Sequence, residues 1–230
     1  MSENLVISVV PLFADRIDAG RALAVELERE RSPELVVVGL ARGGVAVAAE
    51  VARTLQAPLD TVAVRKVGHP WQPEYGIGAV TPGNGVYVRA HDGLTDEELA
   101  AAVENARQKA ASLDEKLHAE HARLELAGKT VLVVDDGLAT GGTMIAALRW
   151  ARAAGAARVV AAVPVAAAET LGLVRAEADD VVCLHAISPF FAVGVWYGSF
   201  GQIDDSEVVR LLGESRQAWS KASENVPTAR

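Results

Sequence analysis

The sequence predicts an α/β fold, with a mostly parallel central sheet flanked by helices. Short runs of β-branched and aliphatic residues alternate with segments whose apolar residues recur at three- and four-residue spacing. The runs are continuously apolar, as strands buried on both faces must be. Strand–helix alternation then favours parallel neighbours joined by helical crossovers. In such sheets ligands bind beyond the carboxyl ends of the strands, so the chemistry is to be sought in the loops that follow them.

The first strong strand is Leu35-Val36-Val37-Val38-Gly39-Leu40. After Ala41-Arg42-Gly43-Gly44, the residues Val47, Ala48, Val51, Ala52 and Leu55 recur at helical spacing, and Pro58 stops the helix. Leu59 to Val64 reads as the next strand. The Gly- and Pro-rich stretch from Gly68 to Gly85 reads as a long loop of the kind that forms functional lids. A short strand, Val86-Tyr87-Val88, precedes a long helical pattern from Thr95 to Leu126. Thr95 and Glu98 have capping-box spacing. Leu99, Val103, Ala106, Ala110, Leu113, Leu117 and Leu124 form one stripe, suited to covering the sheet or to an oligomer contact. Lys129 to Val134 is a strand, Met144 to Ala151 a helix closed by Gly155, Arg158 to Val163 a strand, Ala166 to Ala176 a helix, Asp180 to Leu184 a strand, and Ser206 to Ser220 a terminal helix.

The chain has 230 residues, half of them hydrophobic, enough to bury a sizeable core. Its formal net charge of -8 argues against a general basic surface for nucleic acid or anionic membrane, while leaving room for a local basic pocket. The single Cys183 sits in an apolar run and reads as a small buried hydrophobe, consistent with a cytoplasmic protein without disulfides. The start of the chain lacks a basic n-region and a cleavage site, so no signal peptide is expected. No run approaches the ~18 apolar residues of a membrane span.

The chemistry concentrates after Val131-Leu132-Val133-Val134. Asp135-Asp136 comes first, then Gly137-Leu138, then Ala139-Thr140-Gly141-Gly142-Thr143 at the start of a helix. Paired glycines let the backbone approach a ligand closely, and a helix start offers unpaired N–H groups and the positive dipole end. Thr140 and Thr143 add hydroxyls. The twin carboxylates suit a vicinal diol or a hydrated Mg2+ beside the phosphate. Residues and order therefore fit a sugar phosphate. A dinucleotide-binding loop is disfavoured because Gly-x-Gly-x-x-Gly spacing is missing, and a P-loop because no Gly-Lys-Ser/Thr follows.

The run Val133 to Thr143 resembles the phosphoribosyl pyrophosphate (PRPP) motif of type I phosphoribosyltransferases, in its adenine-type version. The likeness extends to Phe13-Ala14-Asp15-Arg16, to Arg65-Lys66-Val67-Gly68, to Pro73-Glu74-Tyr75-Gly76-Ile77-Gly78-Ala79 and to Val193-Gly194-Val195-Trp196-Tyr197, as in a little-characterised bacterial branch. The resemblance implies one domain over residues 1–220 and a frayed tail at 221–230. A small hood would be built from the N-terminal segment and residues 186–205. It implies transfer of a 5-phosphoribosyl group from PRPP to a nucleobase-like acceptor, with Mg2+, in a homodimer. The alternatives are a PRPP-binding sensor without catalysis and a hydrolase with water as acceptor.

By the same resemblance, Ala139, Thr140, Gly141, Gly142 and Thr143 hold the 5-phosphate. Asp135 and Asp136 bind the ribose hydroxyls and face the metal, directly or through water. Ala41, Arg42, Gly43 and Gly44 form the pyrophosphate loop, where relatives often hold a non-proline cis peptide. Arg65 and Lys66 add charge for the leaving pyrophosphate. Glu74, in the place of the mobile catalytic loop, is a candidate acid–base group. Phe190, Phe191, Trp196 and Tyr197 belong to the base-covering hood. Hypoxanthine-guanine enzymes carry an aspartate where this chain has Ala139, which disfavours that substrate. His118 and His121 are one helical turn apart without a third ligand, so a metal there is not expected. His69 falls in the lid segment.

Overall fold

A computed structural model describes residues 10–89 and 93–224. Its elements run α1 (Arg16–Glu26), β1 (Leu35–Ala41), α2 (Gly43–Leu55), β2 (Leu59–Ala63), β3 (Arg65–His69), β4 (Gln72–Val80), β5 (Val86–Val88), α3 (Asp96–Leu117), β6 (Thr130–Val134), α4 (Gly142–Ala153), β7 (Arg158–Ala167), α5 (Leu171–Arg175), β8 (Asp180–Ile187) and α6 (Asp205–Glu224). Five strands form a parallel sheet in the order β2-β1-β6-β7-β8. Strands β3, β4 and β5 make a separate antiparallel sheet.

The parallel sheet divides its side chains by the two-residue period of a strand. Leu35, Val37, Leu132 and Val134 face the side covered by α1, α2, the end of α3 and α6. Val36, Val38, Leu40, Val131 and Val133 face the side covered by α4 and α5. Burial on both faces explains why these strands read as unbroken apolar runs. The long stripe of α3 is spent on this packing. Ala106 joins Val67, Ile77 and Val80 of the small sheet, while Leu113 and Leu117 enter the main core. Of the two readings of that stripe, the structure shows the helix covering sheets.

Four sequence expectations change. The stretch from Gly68 to Gly85 is mostly the bulged hairpin β3–β4 and the turn into β5, not an irregular loop. Gly68, Gly78 and Gly85 mark close crossings: a Cβ at Gly78 would stand 2.3 Å from the Tyr87 carbonyl oxygen. The helix expected from Ala166 starts only at Leu171, because β7 stays paired with β8 through Ala167. Pairing overrides the helix propensity of alanine there. Helix α3 ends at Leu117, not Leu126, although its Thr95–Glu98 capping box forms as expected. Helix α1, capped by Asp15, was not anticipated.

A buried polar cluster explains where α3 stops. The C-cap residue His118 places its ring 2.8 Å from the Asp114 carbonyl oxygen and 3.0 Å from Asp60 Oδ1 on β2. Asp60 also accepts from Leu124 N, and Asp114 accepts from Ala63 N and Arg123. Burial opposes a charge on His118, yet its bonds to Asp60 and Asp114 prevail and raise its pKa. His121 does not join it, and the described residues hold no group of three metal-ligating side chains. His69 is buried in β3 beside Trp71 and Tyr75.

The N-terminal segment runs beside residues 193–199. Leu12 N and Phe13 N donate to the Trp196 carbonyl, and Gly198 N donates to that of Phe13. Phe13, Val165 and Tyr197 are the buried heart of a small aromatic cluster there. Helix α6 continues through Glu224, and residues 225–230 lie outside the described residues.

Candidate functional site

Strand β6 delivers Asp135 and Asp136 beyond its carboxyl end, and the chain then crosses β7 before entering α4. Leu138 N donates to Val165 O, Ala167 N donates to Leu138 O, and the Thr170 hydroxyl donates to Ala139 O at 2.8 Å. This pins the loop against the neighbouring strand. Gly141 caps α4 with φ +76°, a left-handed conformation that an L side chain rarely adopts. No side chain caps the helix start. Its first amides therefore point outward unpaired, with the positive end of a 12-residue helix behind them.

These amides border a cavity of about 300 Å3 shared by Thr140, Gly142 and Thr143 with Lys66, Glu74, Tyr75, Tyr87 and Arg89. The Tyr87 ring lies against Gly142. One wall is thus the phosphate-type loop and the other is the antiparallel sheet, which brings two cations and Glu74. A somewhat larger cavity, about 360 Å3, lies between α2 and α6 and touches none of these residues.

The turn after β1 closes on the two carboxylates. The Ala41–Arg42 peptide is cis. A Cβ at Gly43 would collide with Asp136 Oδ2 at 2.1 Å, and one at Gly44 would meet Val134 O at 2.7 Å and Asp135 Cα at 2.9 Å. Only glycines let this turn lie so close. Arg16 at the start of α1 donates through Nε to Asp136 Oδ2 at 2.8 Å and through Nη1 to Gly201 O. Its guanidinium stacks 3.7 Å from the centroid of Phe200. Tyr197 donates its hydroxyl to Asp136 O at 2.6 Å.

The carboxylates are electrostatically costly. Burial, then the neighbouring Asp136, push the Asp135 pKa well above the ordinary carboxylate range, against the pull of Arg16 and Lys66. Burial also raises that of Asp136, with Arg16 working against it. Burial pushes the Tyr197 phenol up as well, so it stays a neutral donor.

The fold and the geometry agree with the comparisons. The family model described as phosphoribosyl transferase domain matches residues 14–197. The chain belongs to the phosphoribosyltransferase family. Its fold is that of the type I enzymes, with a parallel five-stranded sheet, flanking helices and a small antiparallel sheet. Two Mycobacterium tuberculosis proteins, named "Putative phosphoribosyl transferase Rv0571c" in strain H37Rv and "Putative phosphoribosyl transferase MT0597" in strain CDC 1551, are each 43% identical over 216 residues. The match takes in 92% of this chain and 48% of each relative, so the chain spans about half their length. The crystal structure of TT1426 from Thermus thermophilus is 40% identical, covers 88% of this chain and 98% of its own, and has a TM-score of 0.76.

Within this chain, the sequence-predicted residues fall into groups. Thr140, Gly142 and Thr143 share one cavity with Lys66 and Glu74, while Ala139 is tied to Thr170. Asp135 and Asp136 meet Gly43 and Gly44. Arg42 and Arg65 border another cleft; adjacent residues of a strand point to opposite faces, so Lys66 takes the loop side and Arg65 does not. Tyr197 is buried beneath Asp136, whereas Phe190 packs on Trp196 with centroids 6.1 Å apart and Phe191 is 60% exposed. Sequence reading missed Arg16, Tyr87, Arg89 and Phe200 as site neighbours. Only Arg16 carried a signal, as part of the Phe13-Ala14-Asp15-Arg16 likeness, and its partner is 120 residues away.

Proposed function

We propose that the protein transfers a 5-phosphoribosyl group from PRPP to a nitrogenous, nucleobase-like acceptor and releases pyrophosphate. The observation that carries this reading is the convergence of three parts: an uncapped helix start with Thr140 and Thr143, twin carboxylates after β6, and a glycine turn against those carboxylates. In this reading the amides and hydroxyls of Ala139 to Thr143 grip the 5-phosphate. Asp135 and Asp136 accept from the ribose hydroxyls. Backbone groups of Ala41 to Gly44 meet the diphosphate.

The acceptor nitrogen attacks the anomeric carbon as its bond to the pyrophosphate oxygen breaks, and that oxygen keeps the electron pair. The acceptor's proton passes to solvent or to Glu74, which borders the cavity. Lys66, near enough to Asp135 to influence its titration, balances charge at the diphosphate. Phe191 is the exposed hood aromatic free to stack on a flat acceptor.

Mg2+ fits these residues in a particular way. It takes one or two carboxylates plus substrate phosphates and keeps several waters. Two adjacent carboxylates, one already held by Arg16, suit an ion that arrives with the diphosphate. When bound it supplies positive charge against the leaving pyrophosphate. Lone, partly buried Cys183 fits a reducing, cytoplasmic setting.

The test is pyrophosphate release from PRPP with Mg2+ across a panel of purine and pyrimidine bases. The expected result is release that depends on one class of base and is lost in Asp136→Asn. PRPP binding without release under any acceptor would replace transfer by a binding-only role. Release without a base would replace it by hydrolysis.

A further inference from the structure

We propose that the cleft between α2 and α6 binds a flat, uncharged heterocycle of the aminopurine class, as free base or nucleoside. The cleft measures about 360 Å3, within the ordinary range of small-molecule pockets. It shares no bordering residue with the Thr140–Thr143 cavity, so it goes beyond the transfer reading. Its apolar lining is mostly alanine: Ala49, Ala52 and Ala57 on one side, Leu211 and Ala218 of α6 on the other. Such small side chains leave open the angle that larger ones would fill between two packed helices. The one large ring at the cleft is Trp219, 40% exposed. A flat ligand can stack on the indole and rest on the alanine methyls.

Gln56, at the end of α2, is a second and independent observation. Its backbone is left-handed, with φ 53° and ψ 46°. Among the described residues it is the only non-glycine with positive φ. Glycine is the usual residue at such a helix end, because a side chain is strained there. The chain thus keeps a carboxamide at a glycine-favoured position that borders the cleft. The carboxamide oxygen accepts from Arg31 at 3.4 Å, the long limit of a hydrogen bond. A glutamine amide offers one donor and one acceptor side by side, the pattern that matches the ring nitrogen and amino group of an aminopurine. Ser215 adds a hydroxyl at the same border.

Charge narrows the class further. The cleft is bordered by one cation, Arg53, and two carboxylates, Glu50 and Glu214. Arg53 is already paired with Glu50, which also accepts from Arg21, and Glu214 accepts from Arg210. No cation is therefore left over at the border for a phosphate, and the surplus carboxylate repels one. A base or nucleoside fits where a nucleotide does not.

Titration calorimetry of the full chain with adenine, adenosine and adenosine monophosphate tests the site, with tryptophan emission followed in parallel. The expected result is saturable binding of adenine and adenosine, and weaker binding of the monophosphate by about threefold or more. Emission should be quenched in the wild type and not in Trp219→Leu. Gln56→Gly should weaken adenosine about tenfold while its thermal midpoint stays or rises, because the change relieves the left-handed strain. Gln56→Glu keeps the strain and the size but loses the amide donor, and should weaken adenosine as well. Phe191→Ala, in the proposed acceptor hood, should leave adenosine binding unchanged. No saturable binding of adenine or adenosine, affinity within about twofold of wild type in both Gln56 variants, quenching retained in Trp219→Leu, or a monophosphate bound as tightly as adenosine each overturns the proposal. Tryptophan emission that changes with protein concentration alone would give the cleft to a second copy of the chain and overturn it too. Failure of the transfer reading would appear elsewhere, as absent pyrophosphate release, and leaves these titrations unaffected.

Discussion

At the scale of single residues, the site is held by one arginine against two unwilling carboxylates. Arg16 and Asp136 are 10% and 14% exposed at their side chains, so removing one strands the other in a poor solvent. Arg16→Ala should cost about 3 kcal/mol of stability and weaken PRPP binding at least tenfold. Denaturant unfolding and calorimetry check the two effects separately. The Tyr197 hydroxyl is a neutral donor to a backbone carbonyl, so Tyr197→Phe should cost only about 1 kcal/mol in unfolding. The raised pKa of Asp135 has a definite sign. The native state binds this proton more tightly than the unfolded chain. Stability from this group is therefore present below its ordinary pKa and falls as pH rises through the raised one. Stability profiles of wild type and Asp135→Asn should diverge in the variant's favour across that window; parallel profiles would show that Asp135 titrates normally. Ligands that need the ionised carboxylates should bind more tightly over the same rise.

At the scale of elements, the loops work because rigid neighbours leave them no slack. Gly44 sits where a Cβ would press on Val134 and Asp135. Gly44→Ala should destabilise by about 1–3 kcal/mol and reduce PRPP affinity more than it reduces stability, as overpacking must displace the turn. Calorimetry beside thermal unfolding separates these. The anchor of α3 is different in kind. His118→Ala would leave Asp60 and Asp114 without their ring partner, and a loss of about 3 kcal/mol is expected in denaturant unfolding. Because the His118 pKa is raised, its contribution is complete below pH 6.5 and fades as pH rises through the folded-state value. Elements also show what sequence periodicity carries. Strands β1, β2, β6 and β7 were legible because each is buried on both faces and drops into a loop. The β3–β4 hairpin was not, because Gly68 and Gly78, needed for close crossings, are residues of the type that also marks loops. The end of β7 was not, because its pairing with β8 is a tertiary fact.

At the scale of the molecule, the proposed phosphate loop could be read from one contiguous run, Asp135 to Thr143, since local order alone defines it. The cation arrangement could not, since strand alternation parts Arg65 from Lys66 and a 120-residue separation hides the Arg16–Asp136 pair. Net charge of -8 coexists with local basic clefts on either side of β3, which whole-chain composition averages away. The apolar face of α3 packs on the two sheets, which leaves the homodimer expected from the family likeness as a proposal without an assigned surface. Sedimentation equilibrium should give twice the mass of 24.1 kDa, and a monomer would remove the dimer from this reading. The proposed function turns on one phosphate grip backed by two acids. Calorimetric titration of Mg2+–PRPP into wild type, Thr140→Ala and Asp136→Asn tests it most directly. One site per chain in the wild type, weakened tenfold or more in each variant, is the predicted result; affinity unchanged in both variants would contradict the account.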